Sequence, residues 1–199
     1  MTRRIILLLL LGLLLAAPVA ASGTPTPPTP TPDAPPPEIC QVAPRSLEEL
    51  NAIVAIPAVR SGTPVTDVVS EGSPADSETA AAVVAIVREF VACQNAGELF
   101  RVYGLYTEEY LRDLFWRQPP MSETDYAALS TPQPGPPDAR ATILDITDIR
   151  VFPDGHAGAT VTLRFAVIPM PKLFYFSLVP SGDGWLIDDI LGEITFSLP

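Results

Sequence analysis

Cationic and metal-binding side chains are scarce in this sequence. Its 199 residues contain 12 Lys and Arg against 23 Asp and Glu, which gives a net charge of −11. A protein that binds the phosphate backbone of a nucleic acid needs a basic face, so this composition excludes nucleic acid as a partner. With one His and two Cys, the chain cannot assemble a tetrahedral Cys/His zinc site, and we predict no metal.

Familiar catalytic and cofactor motifs are also absent. The sequence has no G-x-x-x-x-G-K-[ST] loop for nucleotide phosphates, no G-x-S-x-G elbow and no D-x-[DN]-x-[DN]-G calcium loop. The histidine, His156, follows Asp154 and Gly155 in a predicted hairpin turn, where a general base would not reach a substrate inside a site. We therefore predict no assembled catalytic set and no cofactor.

The N-terminus has the layout of a secretory signal. Residues 1–21 contain two Arg, an apolar run at 5–15 and small residues at 19–21. The apolar stretch, even extended to residue 21, is 17 residues long, the lower limit for spanning a bilayer. We expect a secreted or cell-envelope protein. An uncleaved anchor is the alternative, and membrane contact is expected only in that case.

Proline dominates the segment that follows. The chain has 24 Pro, and residues 22–39 form a Pro/Thr-rich linker that favours a semi-rigid polyproline-II path. Residues 22–37 contain no side chain able to build a core. Residues 40–72 are predicted to form an N-terminal extension, with a short helix that begins at the capping box of Ser46 and Glu49.

The two cysteines predict a disulfide. An exported chain with Cys40 and Cys93 allows one intramolecular pairing. That bond would pin the N-terminal extension to the rest of the chain. Two buried free thiols are the alternative. A redox-active site is not expected, because no C-x-x-C pair exists.

The apolar spacing changes from a helical period to an alternating one after Arg140. The strongest helix is predicted to start at Ser73 and Pro74 and to end near Gly97. Phase slips within 141–152 and at residues 188–189 predict β-bulges, which bend sheets. The predicted fold is α+β, with N-terminal helices packed on a strongly curved antiparallel sheet of four to five strands.

Three segments resemble the nuclear transport factor 2-like superfamily, the cystatin-like cone fold. They are FVACQNAG at 90–97, LYTEEYL at 105–111 and DGWLIDDI at 183–190, which matches the family's D-G-W-x-I-D-x-I strand. The resemblance covers residues 73–199 and implies a cone domain whose bent sheet wraps the long helix around a cavity. Known hosts include relatives of ketosteroid isomerase and scytalone dehydratase as well as non-catalytic domains, so fold alone does not decide the function.

Aromatic residues are the candidates for lining that cavity, where Tyr hydroxyls would meet a small apolar ligand. The predicted pocket residues are Phe90, Tyr103, Tyr106, Tyr110, Phe165, Tyr175 and Trp185. We expect an exported, non-enzymatic domain that binds a small apolar ligand or a protein partner.

Two other functions stay open. One is an isomerase- or dehydratase-like enzyme that uses a pocket Tyr with one of the strand acids Asp145, Asp148, Asp188 and Asp189. The other is a structural domain that forms a homodimer through the sheet, because the strand at 173–178 is apolar on both faces.

Overall fold

A computed structural model describes residues 32–56, 72–168, 170–182 and 184–192. The predicted signal segment at 1–21, most of the linker at 22–39, the end of the extension and a strand predicted at 193–198 lie outside the described residues.

Five helices precede the long strands. They are α1 (Leu47–Val54), α2 (Ser77–Ala96), α3 (Leu99–Gly104), α4 (Glu108–Leu114) and α5 (Glu123–Leu129). Four of them begin after a capping side chain that accepts a hydrogen bond from the backbone N–H three residues on, and these caps are Ser46, Asp76, Thr107 and Ser122.

The start of the long helix differs from the prediction. Ser73 and Pro74 form the short strand β1 (Ser73–Pro74), which pairs with residues 150–151. Helix α2 begins at Ser77, where Asp76 accepts a hydrogen bond from Thr79 N–H at 2.8 Å. The helix ends as predicted at Gly97, whose φ of 68° is left-handed.

The strands form one antiparallel sheet in sequence order. After β1 come β2 (Thr142–Val151), β3 (Ala157–Arg164), β4 (Lys172–Ser181) and β5 (Gly184–Gly192). The prediction of an α+β fold with N-terminal helices and an antiparallel sheet is therefore confirmed.

The strong curvature predicted for this sheet is wrong, since the sheet is not strongly curled. The predicted phase slips do occur, as register shifts at 143–145 and 147–150 in β2 and at Asp188 in β5. Between these strands, β3 and β4 pair without a shift from Ala157 to Leu163. A bulge bends the strand that carries it. The β3–β4 pair contains no bulge, so it does not follow the bends of β2 and β5 on either side.

The core lies between α2 and one face of the sheet. Side chains from α2 and from strands β3, β4 and β5 are buried there: Val83, Val87, Phe90, Val91, Val161, Leu163, Phe174, Phe176, Leu178 and Ile187. Among the described helices, α2 alone is long and apolar enough to cross a membrane, with 20 residues and a mean hydropathy of 1.2. In this fold its apolar face packs inside the core.

The end of the Pro-rich segment is packed on the domain. Asp33 pairs with Ile143 through backbone N···O distances of 2.8 and 2.7 Å and forms an ion pair with Arg88. Pro35 is fully buried. The expectation that residues 22–37 contain nothing able to build a core is therefore wrong for Pro35, whose apolar ring fits an extended path against the domain.

The predicted disulfide between Cys40 and Cys93 is present, with Cα atoms 4.8 Å apart. One helical turn before Cys93, the Glu89 carboxylate accepts hydrogen bonds from the backbone N–H groups of Gln41 at 2.9 Å and Val42 at 2.7 Å. The N-terminal segment is thus held on α2 by one covalent bond and two hydrogen bonds.

A buried amide joins three parts of the chain. Asn95 is the one polar residue that is buried within the described ranges, at 4% exposure. Its side chain accepts a hydrogen bond from Ala141 N–H at 2.8 Å, and it donates to the carbonyl oxygens of Ala141 at 3.1 Å and Pro35 at 3.3 Å. The end of α2, the start of β2 and the N-terminal segment therefore share one polar contact.

Removing the disulfide should destabilise the protein. The bond joins residues 53 positions apart, and loop-closure entropy gives about 4 kcal/mol for a loop of that size. We expect Cys40→Ser to lower the free energy of unfolding by up to that amount in urea titrations. Wild-type protein treated with a thiol reductant is the control and should match the variant. Equal stability of oxidised wild type and Cys40→Ser would contradict the prediction.

Replacing the buried amide should also destabilise the fold. Asn95→Leu leaves the Ala141 N–H and two carbonyl oxygens without partners, and we expect a loss of about 3 kcal/mol. The matched control is Gln118→Leu at an exposed amide, for which we expect a change within about 0.5 kcal/mol. Urea unfolding of both variants checks this, and an Asn95→Leu variant as stable as its control would refute the role of the amide.

Candidate functional site

Two adjoining cavities lie on the helical side of the molecule, and the smaller of them is bounded by the inner face of the sheet. The larger has a volume of about 780 Å³ and is bounded by all five helices and the residue before β2. The smaller, of about 260 Å³, lies between α2, α4 and strands β3–β5. Four residues line both: Gln94, Tyr110, Leu114 and Phe165. A molecule in one cavity would therefore share walls with the other.

Five of the seven predicted pocket residues lie on these walls. Phe90 lines the smaller cavity, Tyr103 and Tyr106 line the larger, and Tyr110 and Phe165 line both. The structure therefore brings together residues from α2, from the α3–α4 region and from the end of β3.

The other two predicted residues lie elsewhere. Phe174 and Phe176 are buried on the inner face, and because side chains alternate along a strand, Tyr175 lies on the outer face. Its ring packs on Gly158, where an added Cβ would lie 1.9 Å from the Tyr175 hydroxyl. Trp185 pairs with Pro180 next to the β4–β5 turn and packs against the edge of the core.

The three cavity tyrosines are held at the edge of the sheet. Between α3 and α4, the Leu105 carbonyl accepts a hydrogen bond from Ile187 N–H at 2.8 Å, and Thr107 N–H donates to the Ile187 carbonyl at 2.9 Å. The Arg45 guanidinium donates to the Tyr106 carbonyl at 3.1 Å. Backbone contacts on both sides therefore position this part of the cavity wall.

The aromatic rings form a continuous surface. The centroids of Tyr106 and Tyr110 are 4.8 Å apart in an edge-on arrangement, and those of Tyr103 and Tyr106 are 6.2 Å apart. Phe90 continues the row toward the sheet, 6.1 Å from Tyr106. Aromatic pairs at these separations attract one another beyond their apolar burial, so the rings support each other as a rigid wall.

The tyrosine hydroxyls are hydrogen-bond donors at neutral pH. Burial raises the pKa of Tyr103 to about 12, and burial with the nearby Asp189 raises the pKa of Tyr110 to about 12. Burial raises the pKa of Tyr106 well above its usual value. Within the described residues, none of the three hydroxyls has a hydrogen-bond partner in the protein, and none is sealed from solvent. Their donor capacity is therefore open to a ligand.

The cavity walls carry no cation. Among the described residues that line either cavity there is no Lys, Arg or His, and the acids are Glu98 and Asp125. Glu98 lies 3.6 Å from the Arg101 guanidinium. Asp125 accepts a hydrogen bond from the Ser122 hydroxyl at 2.6 Å. The cavity is therefore neutral to slightly negative.

The strand acids do not line either cavity. Asp148 forms an ion pair with Arg150 at 2.7 Å, and Asp188 accepts a hydrogen bond from the Thr107 hydroxyl at 2.8 Å. Asp189 is half-buried, and its pKa is raised by burial and by the neighbouring carboxylates of Asp188 and Asp113. Asp189 is near enough to Tyr110 for its charge to add to the rise in the tyrosine's pKa, although it lines neither cavity.

Two further predictions concern metals and the histidine. His156 lies in the β2–β3 turn with its side chain 40% exposed, 3.6 Å from an Asp154 oxygen. In the parts of the chain that the structure describes, no three His, Cys, Asp or Glu residues lie close enough to hold a metal ion.

Several wall residues were not predicted from the sequence. Two of them, Gln94 and Leu114, carry a local signal, because each lies four residues after a predicted pocket aromatic and therefore on the same helix face. Others come from distant segments, and the list includes Leu50, Met121, Ile190 and Gly192. Their position depends on tertiary packing, which spacing does not report.

Comparisons with protein-family models, with curated proteins and with solved structures find no match to this chain.

Neutralising Asp189 should stabilise the protein at neutral pH. Burial raises the pKa of Asp189 above 3.8, so the folded state binds this proton more tightly than the unfolded state does. The stability that comes from the bound proton is lost as pH rises through the raised pKa. We expect Asp189→Asn to melt at a higher temperature than wild type at pH 7, with the difference vanishing below pH 3.8. Asp189→Glu is the control that keeps an ionisable group. The expectation would be contradicted if the melting temperature of Asp189→Asn, relative to that of wild type, did not rise between acid and neutral pH.

Proposed function

We propose that this protein binds a small, uncharged, mostly apolar molecule with hydrogen-bond acceptor groups in the cavity between its helices and its sheet. The observation that carries the proposal is the set of three tyrosine hydroxyls, Tyr103, Tyr106 and Tyr110, which line a mostly apolar cavity and have no hydrogen-bond partner among the described residues. These hydroxyls reach solvent, so an acceptor group on a ligand can take the place of the water that meets each O–H donor.

The size and composition of the cavity support a small organic ligand. A volume of about 780 Å³ falls within the range typical of ligand sites, which are mostly apolar with a few polar groups that orient the ligand. The aromatic row supplies the apolar surface, and the amide of Gln94, on both cavity walls, adds a donor and an acceptor.

The charge of the walls excludes anions from the proposed ligand class. An anion would meet a wall on which the described residues include Glu98 and Asp125 but no Lys, Arg or His. Transfer of a charge into such a space is unfavourable without an opposite charge. A ketone, ester, lactone or ether fits these walls, whereas a carboxylate or a sulfonate does not.

Binding is better supported than proton abstraction. An isomerase or dehydratase needs a general base within hydrogen-bond distance of its substrate. The cavity carboxylates, Glu98 and Asp125, already have partners in Arg101 and Ser122, and Asp189 lies outside the lining of both cavities. We therefore propose a non-enzymatic role.

The family and the location are part of the same proposal. The order of helices and strands and the cavity between α2 and the sheet are consistent with a nuclear transport factor 2-like domain that has a shallower sheet than the cone form. The disulfide and the signal-like residues 1–21 favour export to an oxidising compartment.

Removing the hydroxyls should weaken binding of a neutral probe. The probe is Nile red, an uncharged dye with a carbonyl acceptor, whose emission rises in an apolar site. We expect Tyr110→Phe to weaken its binding by about three- to tenfold, because one hydrogen bond contributes about 1 kcal/mol. Tyr175→Phe is the matched control on the outer face and should leave the dissociation constant unchanged. Equal losses in both variants, or none in either, would overturn the role of the hydroxyls.

The charge preference can be tested separately. Methyl laurate and laurate differ in the charge of one head group, and both can compete with Nile red. We expect the ester to displace the dye at a concentration at least about tenfold lower than the carboxylate, since the walls hold no cation to offset its desolvation. Tighter binding of laurate would show that the ligand class is anionic and that the proposal is wrong.

A further inference from the structure

Exposed apolar residues surround one side of the cavities. Two segments, 112–117 at the end of α4 and 164–173 across the β3–β4 loop with Pro169 outside the described residues, are here called the rim. Each segment contains a residue that lines both cavities, Leu114 in one and Phe165 in the other. The two segments therefore meet at a wall that the cavities share.

The rim exposes more apolar surface than a solvated loop needs. Val167 is 86% exposed and Met170 is 70% exposed, both on the β3–β4 loop. Leu114, Trp116 and Leu173 are also exposed. Leu173 alternates with the buried Phe174 and therefore lies on the outer face of the sheet. The other four side chains belong to the two segments that share a cavity wall, and exposed large apolar groups of this kind mark interaction surfaces.

The charge of the rim opposes that of the whole protein. Its charged residues are Arg112, Arg117, Arg164 and Lys172 with one acid, Asp113, although the chain as a whole carries 23 acids and 12 bases. The Arg117 guanidinium lies 3.9 Å from the centre of the Trp116 ring. Arg117 also has a left-handed φ of 64°, an uncommon conformation for a residue other than Gly.

We infer that the rim docks on the surface of a phospholipid bilayer, from which the cavity takes up its apolar ligand. Apolar side chains on a protruding loop enter the acyl boundary, Trp prefers the head-group region, and Arg and Lys meet the lipid phosphates. A neutral apolar ligand partitions into bilayers, so docking would bring the cavity opening to its source. The inference rests on the proposed ligand binding for its purpose, but it is tested without any ligand.

The first test measures binding to vesicles. Protein expressed from the full sequence is purified from the host and mixed with vesicles of phosphatidylcholine and phosphatidylglycerol, and flotation separates bound from free protein. We expect the double variant Val167→Asp/Met170→Asp to bind at least about tenfold more weakly than wild type, since it places two charges at the apolar contact. Leu129→Asp, an exposed leucine on α5, is the matched control and should bind like wild type.

The second test reports the docked surface directly. The chain has two Trp, so Trp185→Phe leaves Trp116 as the single fluorophore. We expect its emission to shift to shorter wavelength with vesicles and to be quenched by brominated phosphatidylcholine. Vesicle binding through the apolar run at residues 5–15 would instead leave Trp116 unchanged and the double variant as tightly bound as wild type, which would overturn the inference.

Other outcomes separate this inference from the proposed function. If wild type binds Nile red but not vesicles, bilayer docking is wrong and ligand binding stands. The double variant should bind Nile red as wild type does, because Val167 and Met170 do not line the cavities. A wild-type dimer in light scattering that the double variant dissociates would assign the rim to a second copy of the chain and overturn the lipid surface.

Discussion

The last turn of α2 is the contact on which the rest of the structure depends. Within three residues it carries the disulfide of Cys93 with Cys40 and the buried amide of Asn95, which binds Ala141 and Pro35. The two contacts are complementary. The disulfide restricts the unfolded chain, whereas the amide specifies one arrangement of α2, β2 and the N-terminal segment because it hydrogen-bonds backbone groups of both of the other segments.

That anchored turn also forms a wall of the larger cavity. Cys93, Gln94 and Asn95 all line it, so the groups that hold the fold together also fix one side of the candidate site. The opposite side is held by backbone pairing between the α3–α4 loop and Ile187. A cavity fixed on both sides can keep donors such as the tyrosine hydroxyls in place without a ligand, which favours binding through pre-organisation.

The charges differ between the cavity walls, whose described residues include no cation, and the rim, which has four bases and one acid. The large negative charge of the chain hides this division, because net charge reports only the sum. The two regions meet at Leu114 and Phe165, which line the cavities and belong to the rim segments. The proposed ligand chemistry and the proposed bilayer contact are therefore adjacent features that meet at one shared wall.

The amino-acid sequence alone determined the helix cap at Ser46, the bulge at Asp188, the disulfide and the α+β order of elements. These features follow from local hydrogen bonding, from apolar period, or from having two cysteines to pair. Tertiary structure decided the rest. Whether bulges curl a whole sheet depends on how neighbouring strands pair, and the shift-free β3–β4 ladder keeps this sheet shallow. Likewise, the alternation of side chains assigned Tyr175 to the outer face, although its residue type resembles that of Tyr110. Residue type and spacing therefore indicate which side chains suit a cavity, whereas strand register and helix packing determine which of them reach it.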